Sequence, residues 1–237
     1  MNMKLAYVAG AMVMTGPAFG ITVNFTDFTF GSPAIGVAVS GNQTYNGQAG
    51  EFKGFLGGSP SANAVAVADA ENMNIPAPFS TGGTSFTAYC AELTQNFSFG
   101  VDYSYGQATG SAYFGAQKAA DLSRLFTGAA GFVTNKSTSG AFQAAIWEII
   151  YEPGSSYDLS SGAFKAAALN LLDVPSFTFI NSVLTNLGSY GANYQIDVLT
   201  NPDTQDFLVG TIPEPGTWAL LVAGLGVIGV VSRRRKP

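Results

Sequence analysis

The sequence predicts an α+β fold, with antiparallel, sandwich-like strands and a segregated cluster of about four helices. Stretches toward both ends of the chain alternate apolar and polar residues with period two, as in Thr84–Cys90. Stretches in the middle repeat apolar residues at helical spacing, as in Phe142, Ala145, Ile146, Ile149 and Ile150. The order along the chain is strands, then helices, then strands, with no internal repeat. Residues 21–210 make one domain of ordinary size, and residues 1–20 and 211–237 read as processing signals.

Taken in order, Ile21–Phe30 reads as a strand whose phase changes after Phe25, the mark of a bulge. Ala34–Val39 is a second strand. Gly41–Ala64, rich in Gly, Asn, Gln and Ser, reads as loop around a short strand at Glu51–Leu56. Residues 65–74 fit neither pattern, and Pro76 and Pro78 break the chain. Thr84–Cys90 puts Phe86, Ala88 and Cys90 on one face and Thr87 and Tyr89 on the other. Gln95–Val101 follows as a strand. Helices are expected at Tyr113–Phe126, at Ser139–Glu152 with Ser139 as cap and Pro153-Gly154 as stop, at Ser161–Leu172, and at Ser176–Leu187 ending on Gly188. Tyr194–Thr200 and Gln205–Val209 close the body as strands.

Composition removes several functions. Between residues 21 and 212 there are five basic residues against fourteen acidic ones, a net charge of −9, which argues against a nucleic-acid partner. The chain has no histidine, so a Ser-His-Asp triad, a Cys-His dyad and an imidazole metal site are excluded. One cysteine excludes a thiolate zinc or iron–sulfur site within the chain, and no cofactor is implied. The acidic pairs Asp69/Glu71 and Asp203/Asp206 lack the spacing of a calcium loop. The many aromatics form no local sugar-binding constellation, so they read as core.

The two ends describe export. Lys4, the apolar run Leu5–Thr15 and Ala18-Phe19-Gly20 form a signal peptide for a signal peptidase, the alternative being an N-terminal anchor. At the other end Pro213-Glu214-Pro215 precedes an apolar helix at 217–231 and the basic run Arg233-Arg234-Arg235-Lys236. That helix spans about 22 Å against a bilayer core of about 30 Å, and the basic end stays cytoplasmic, leaving the body outside. The alternative is a permanent single-span anchor. This three-part tail resembles the PEP-CTERM sorting signal. The resemblance implies an exported bacterial protein, processed by an exosortase-type enzyme, held by the membrane during sorting and then released to the cell surface or extracellular matrix.

Cys90 and Gln143 are the residues with chemistry to explain. A lone thiol in an exported chain points to intermolecular pairing, a reactive thiol or another covalent use, such as attack on a glutamine carboxamide to release ammonia and leave a thioester. Gln143 shares a helix column with Trp147 and Ile150, where a long amide needs partners. Bland readings stand beside this one: Cys90 as a buried small hydrophobe, Gln143 as a solvated helix residue, and Glu148 as an exposed acid rather than a general base. A strand end facing a helix start would hold the two groups together, with the helix dipole favouring the thiolate and Trp147 and Tyr89 covering the bond.

From about Thr84 to Thr200 the body resembles the bacterial thioester domains of surface adhesins. Tyr89-Cys90 is similar to their aromatic-Cys pair, Gln143-Ala144-Ala145-Ile146-Trp147 to their Gln-x-Ala-hydrophobic-Trp run, and Leu122–Gly128 to one of their helices. Phe142 stands where that family usually has Thr. The resemblance implies a Cys90–Gln143 cross-link, single-use rather than turnover chemistry, and capture of an amine or hydroxyl on a surface polymer. A passive envelope or matrix protein with a free thiol is the second reading. A carbohydrate-binding or hydrolytic surface protein, built on Glu148, Glu152 or other carboxylates, is the third.

Overall fold

The computed structural model describes residues 20–31, 34–39, 43–57 and 85–213. Nine strands run through them: β1 (Ile21–Phe28), β2 (Ala34–Val39), β3 (Gln43–Gln48), β4 (Phe52–Leu56), β5 (Ser85–Cys90), β6 (Asp102–Thr109), β7 (Phe164–Ala168), β8 (Gln195–Thr200) and β9 (Phe207–Thr211). Six of them close a barrel in the order β1-β4-β5-β9-β8-β6, every pairing antiparallel. The other three form a separate sheet, β3-β2-β7. The α+β reading therefore holds, while the sandwich-like arrangement is corrected to a closed barrel, which leaves its six strands no open edge.

Aromatic residues fill the barrel. Phe25 sits at the centre, edge-on to Phe52, Phe86, Phe97 and Tyr105 at 5.5–6.3 Å and tilted on Phe207 at 3.9 Å. The phase change expected in β1 is present: the register with β4 shifts between Phe25 and Asp27. The extra residue lets both Phe25 and Phe28 reach Phe52, the latter at 4.5 Å.

Four α-helices lie among the described residues: α1 (Gly110–Phe114), α2 (Ala116–Ala129), α3 (Lys136–Tyr151) and α4 (Val174–Thr185). They are not quite the four expected. The Tyr113–Phe126 segment is two helices, broken at Gly115, whose φ of 87° belongs to the left-handed region. The Ser161–Leu172 segment is not a helix. Its Phe164–Ala168 part is β7, paired with β2, and Leu171 and Leu172 stand 87% and 83% exposed in a 3₁₀ turn. Gln95–Val101 is irregular, and the strand follows it as β6. β3 replaces part of the expected loop.

α3 is the hinge of the packing. It touches α2 and α4 on two sides and β2 and β7 of the small sheet on another. Every residue from Thr138 to Ile150 is buried, so the helix has no solvent face, where a single buried stripe was expected. Its cap is Asn135 rather than Ser139. The Asn135 side chain accepts from the Ser137 and Thr138 N–H groups, and Thr138 returns the bond to the Asn135 N–H.

Candidate functional site

The barrel brings Cys90 and Gln143 together. Cys90 ends β5, and the register pairs it with Phe207 of β9. Directly paired residues share a face, so the Cys90 side chain points with Phe207 into the aromatic interior of the barrel. Tyr89 points the other way, onto the helix layer, as the alternation predicts.

The main chain of Cys90 has a different problem. The next N–H, that of Ala91, donates to Asp206 O at 2.9 Å on the β9 side. The N–H and C=O of Cys90 itself therefore point toward β4, which has already ended: the last β4 residue in the ladder is Phe52, opposite Ala88. Gln143 fills the missing rung. The Cys90 N–H donates to Gln143 Oε1 at 2.8 Å, and Gln143 Nε2 donates to Cys90 O at 2.9 Å. Gln143 is fully buried and Cys90 is 8% exposed. A solvated Gln143 is thereby overturned, and the amide has the partners its position demands.

One turn earlier on α3, Ser139 does the same for β4. Its Oγ accepts from the Glu51 N–H at 2.6 Å. The Glu51 carboxylate in turn accepts from Tyr89 Oη at 2.8 Å. Tyr89 packs on Phe126 and Phe142, with centroids at 5.9 and 5.0 Å, and Phe126 meets Phe142 edge-on at 5.0 Å. Phe142 thus belongs to an aromatic cluster behind the strand. The Cys90 main chain orients the Gln143 amide.

The remaining expected residues are buried but placed differently. Trp147, 6% exposed, has its indole Nε1 without a hydrogen-bond partner among the described residues. Glu148 is fully buried, not an exposed helix acid. Its Oε1 accepts from the Asp158 N–H at 2.8 Å, and burial pushes its carboxyl up to about 7. Beside it, Glu152 Oε2 accepts from the Ala163 and Phe164 N–H groups, and Lys118 Nζ donates to the Ile149 and Glu152 carbonyls. These carboxylates fasten the chain between α3 and β7.

Electrostatics at the thiol also differ from expectation. Gln143 lies about two turns inside α3, beyond the first turn where the helix dipole acts. Burial pushes the Cys90 thiol well above its ordinary range, and the Glu92 carboxylate pushes it further. Glu51, Ser139, Glu92 and Asp206 were not among the expected site residues. Ser139 alone left a sequence signal, misread as a cap.

Pro213 is exposed, just past the end of β9 at Thr211. Glu214, Pro215, Arg233, Arg234, Arg235 and the expected helix at 217–231 lie outside the described residues, as does the signal peptide before Gly20. Among the described residues no helix is long and apolar enough to cross a membrane.

Residues 211–236 match the PEP-CTERM protein-sorting motif. The chain is an exported protein sorted by exosortase to the cell surface. No curated protein and no solved structure matches it. The motif begins on Thr211, the last residue of β9, so the match overlaps the described barrel by one residue and otherwise follows it.

Proposed function

We propose that the body of this exported protein carries an internal thioester between Cys90 and Gln143. The bond would act as a covalent adhesin, capturing an amine or hydroxyl on a partner surface or matrix polymer. The observation that carries the reading is the two-point pairing of the Gln143 carboxamide with the main chain of Cys90, in a chain with one cysteine.

That pairing supports the chemistry in three ways. Bonded to both N–H and C=O of a strand residue, the carboxamide lies in the ladder, and strand side chains stand roughly perpendicular to it. Sulfur therefore rises from Cys90 on the side from which a nucleophile approaches a carboxamide carbon. The Cys90 N–H already donates to Oε1, where negative charge develops as sulfur adds. The barrel interior excludes water from the product. In the reaction the S–H and C–N bonds break, the S–C bond forms, and the nitrogen leaves as ammonia carrying the thiol proton. Capture of an amine then forms an amide at Gln143 and returns the free thiol. Each molecule reacts once and does not turn over.

The second reading is a passive surface protein. The same two hydrogen bonds favour it, because they satisfy Gln143 and the strand end without a covalent step. Peptide mapping after methylamine treatment separates the two. The thioester protein gains methylamine at Gln143 and exposes one new thiol at Cys90. The passive protein takes up no methylamine, and Cys90 is alkylated in full on unfolding.

A further inference from the structure

The strand order of the barrel sets β5 and β6 on opposite walls. They are consecutive in the chain, yet three places apart in the closed cycle β1-β4-β5-β9-β8-β6. Neighbours run antiparallel, so one mouth of the barrel holds the ends of β1, β5 and β8 and the starts of β4, β9 and β6. Cys90 is the last residue of β5 and Asp102 the first of β6. Residues 91–101 therefore cross that mouth from wall to wall, whereas the turn at 201–206 joins the neighbours β8 and β9.

This strap is tied down on both sides of the mouth. Gln205 Nε2 donates to Glu92 O at 3.0 Å, Gln95 Nε2 to Pro202 O at 3.2 Å, and Thr204 Oγ1 to Asn96 O at 2.9 Å. Farther on, the Ser98 N–H donates to Tyr103 Oη at 3.1 Å and the Gly100 N–H to Phe25 O at 2.8 Å. Between these ties Phe97 drops into the barrel. Its ring meets Phe25, Phe52 and Phe207 at 5.5, 5.2 and 4.9 Å. Phe52 and Phe207 flank β5 on its two sides: Phe52 stands opposite Ala88, and Phe207 opposite Cys90. A ring in contact with both lies across the inward face of β5, where Ala88 and Cys90 present only small side chains. Phe97 is half-buried, and Phe99, 5.1 Å beyond it, is 41% exposed, so the stack leads outward from Cys90 to solvent.

We infer that residues 91–101 gate the Cys90–Gln143 pair, with Phe97 as the stopper. A nucleophile reaches the thioester when the strap lifts and Phe97 leaves the mouth; until then the same ring keeps water out. This rests on the thioester reading of the pair. Phe25, Phe52 and Phe207 are held by strand ladders on both sides, so moving them breaks the barrel. Phe97 belongs to no strand and can leave by local opening of one segment.

The test uses the full chain in detergent, as wild type, Phe97→Ala, Phe97→Leu and Phe86→Ala. Methylamine uptake at Gln143 and iodoacetamide labelling of Cys90 in the folded protein are followed by mass against time. Phe97→Ala is expected to take up methylamine roughly tenfold or more faster than wild type, because the burial that holds the strap closed is lost. Phe97→Leu, the milder change, is expected to fall between the two. Phe86→Ala removes another ring of the same interior, from β5 itself, and is expected to lower the unfolding midpoint without that acceleration. Equal uptake by wild type and the two Phe97 variants, or an equal acceleration by Phe86→Ala, overturns the gate while leaving the thioester in place. If no protein takes up methylamine, the thioester reading fails and labelling of Cys90 decides the gate. Faster labelling in the Phe97 variants alone keeps Phe97 as the cover of the thiol, and labelling at the wild-type rate overturns it as well.

Discussion

Ser139 and Gln143 lie one turn apart on α3, and each gives its side chain to a strand end instead of its own helix. Ser139 takes the Glu51 N–H at the start of β4, and Gln143 takes the N–H and C=O of Cys90 at the end of β5. A buried helix thereby finishes a ladder that the two strands leave open, and in doing so sets a carboxamide against the main chain of Cys90.

Removing that rung should cost stability even where no thioester can form. The comparison is Cys90→Ala with Cys90→Ala/Gln143→Ala, since the main-chain bonds do not need the sulfur. The double variant leaves a buried N–H and C=O unpaired, at about 1–3 kcal/mol. Denaturant unfolding should show a lower midpoint. Equal midpoints would mean that Gln143 does not support β5.

Stability should fall as pH rises through neutrality. Burial raises the Glu148 carboxyl from an ordinary 4.5 to about 7, with the hydrogen bond from the Asp158 N–H and the Lys118 charge opposing the shift and the Glu152 and Asp158 charges adding to it. The folded state therefore holds a proton that the unfolded state has released between those values, and stability is lost across that window. Glu51, Glu92, Asp197 and Asp206 are also raised, chiefly by burial, and act in the same direction. Glu148→Gln should remove on the order of 1–2 kcal/mol of the difference between pH 5 and pH 8. Denaturant curves at the two pH values check this.

Gly210 of β9 should not tolerate a side chain. A Cβ there would collide with one edge of the Phe126 ring, which is packed against Tyr89 and Phe142. Gly210→Ala is expected to lower stability by about 1–3 kcal/mol. A thermal melt indistinguishable from wild type would show that Phe126 moves aside freely.

Leu171→Ser and Leu172→Ser should each change stability by less than about 0.5 kcal/mol, because both side chains are exposed. Had the segment been the amphipathic helix its spacing predicts, each change would cost several times more. Denaturant midpoints decide it.

Those two leucines show how far the sequence could be read. Phe164-Lys165-Ala166-Ala167-Ala168 is locally a helix former, and only pairing with β2 makes it a strand. β6, Asp102–Thr109, buries Tyr105 but few of its other side chains, so period-two alternation left little trace. β2 and α4 were legible because each presents a simple buried face, and β1 and β5 through their alternating apolar residues, although each also buries a residue on its other face, Asn24 and Tyr89. At the site, the Cys90–Gln143 meeting was legible through residue type, a lone cysteine at a strand end and a long amide on a buried helix that needed partners. The contacts of Ser139 and Glu51 were not, because they depend on where two strands stop.

The measurement that tests the central claim most directly is the intact mass of the purified body, residues 21–212, beside its Cys90→Ala variant. The thioester account predicts a wild-type mass lighter than calculated by one ammonia, absent in the variant and converted by methylamine to an adduct. A wild-type mass equal to the calculated one, with Cys90 freely alkylated after denaturation, would contradict it and leave Gln143 as the last rung of a strand ladder.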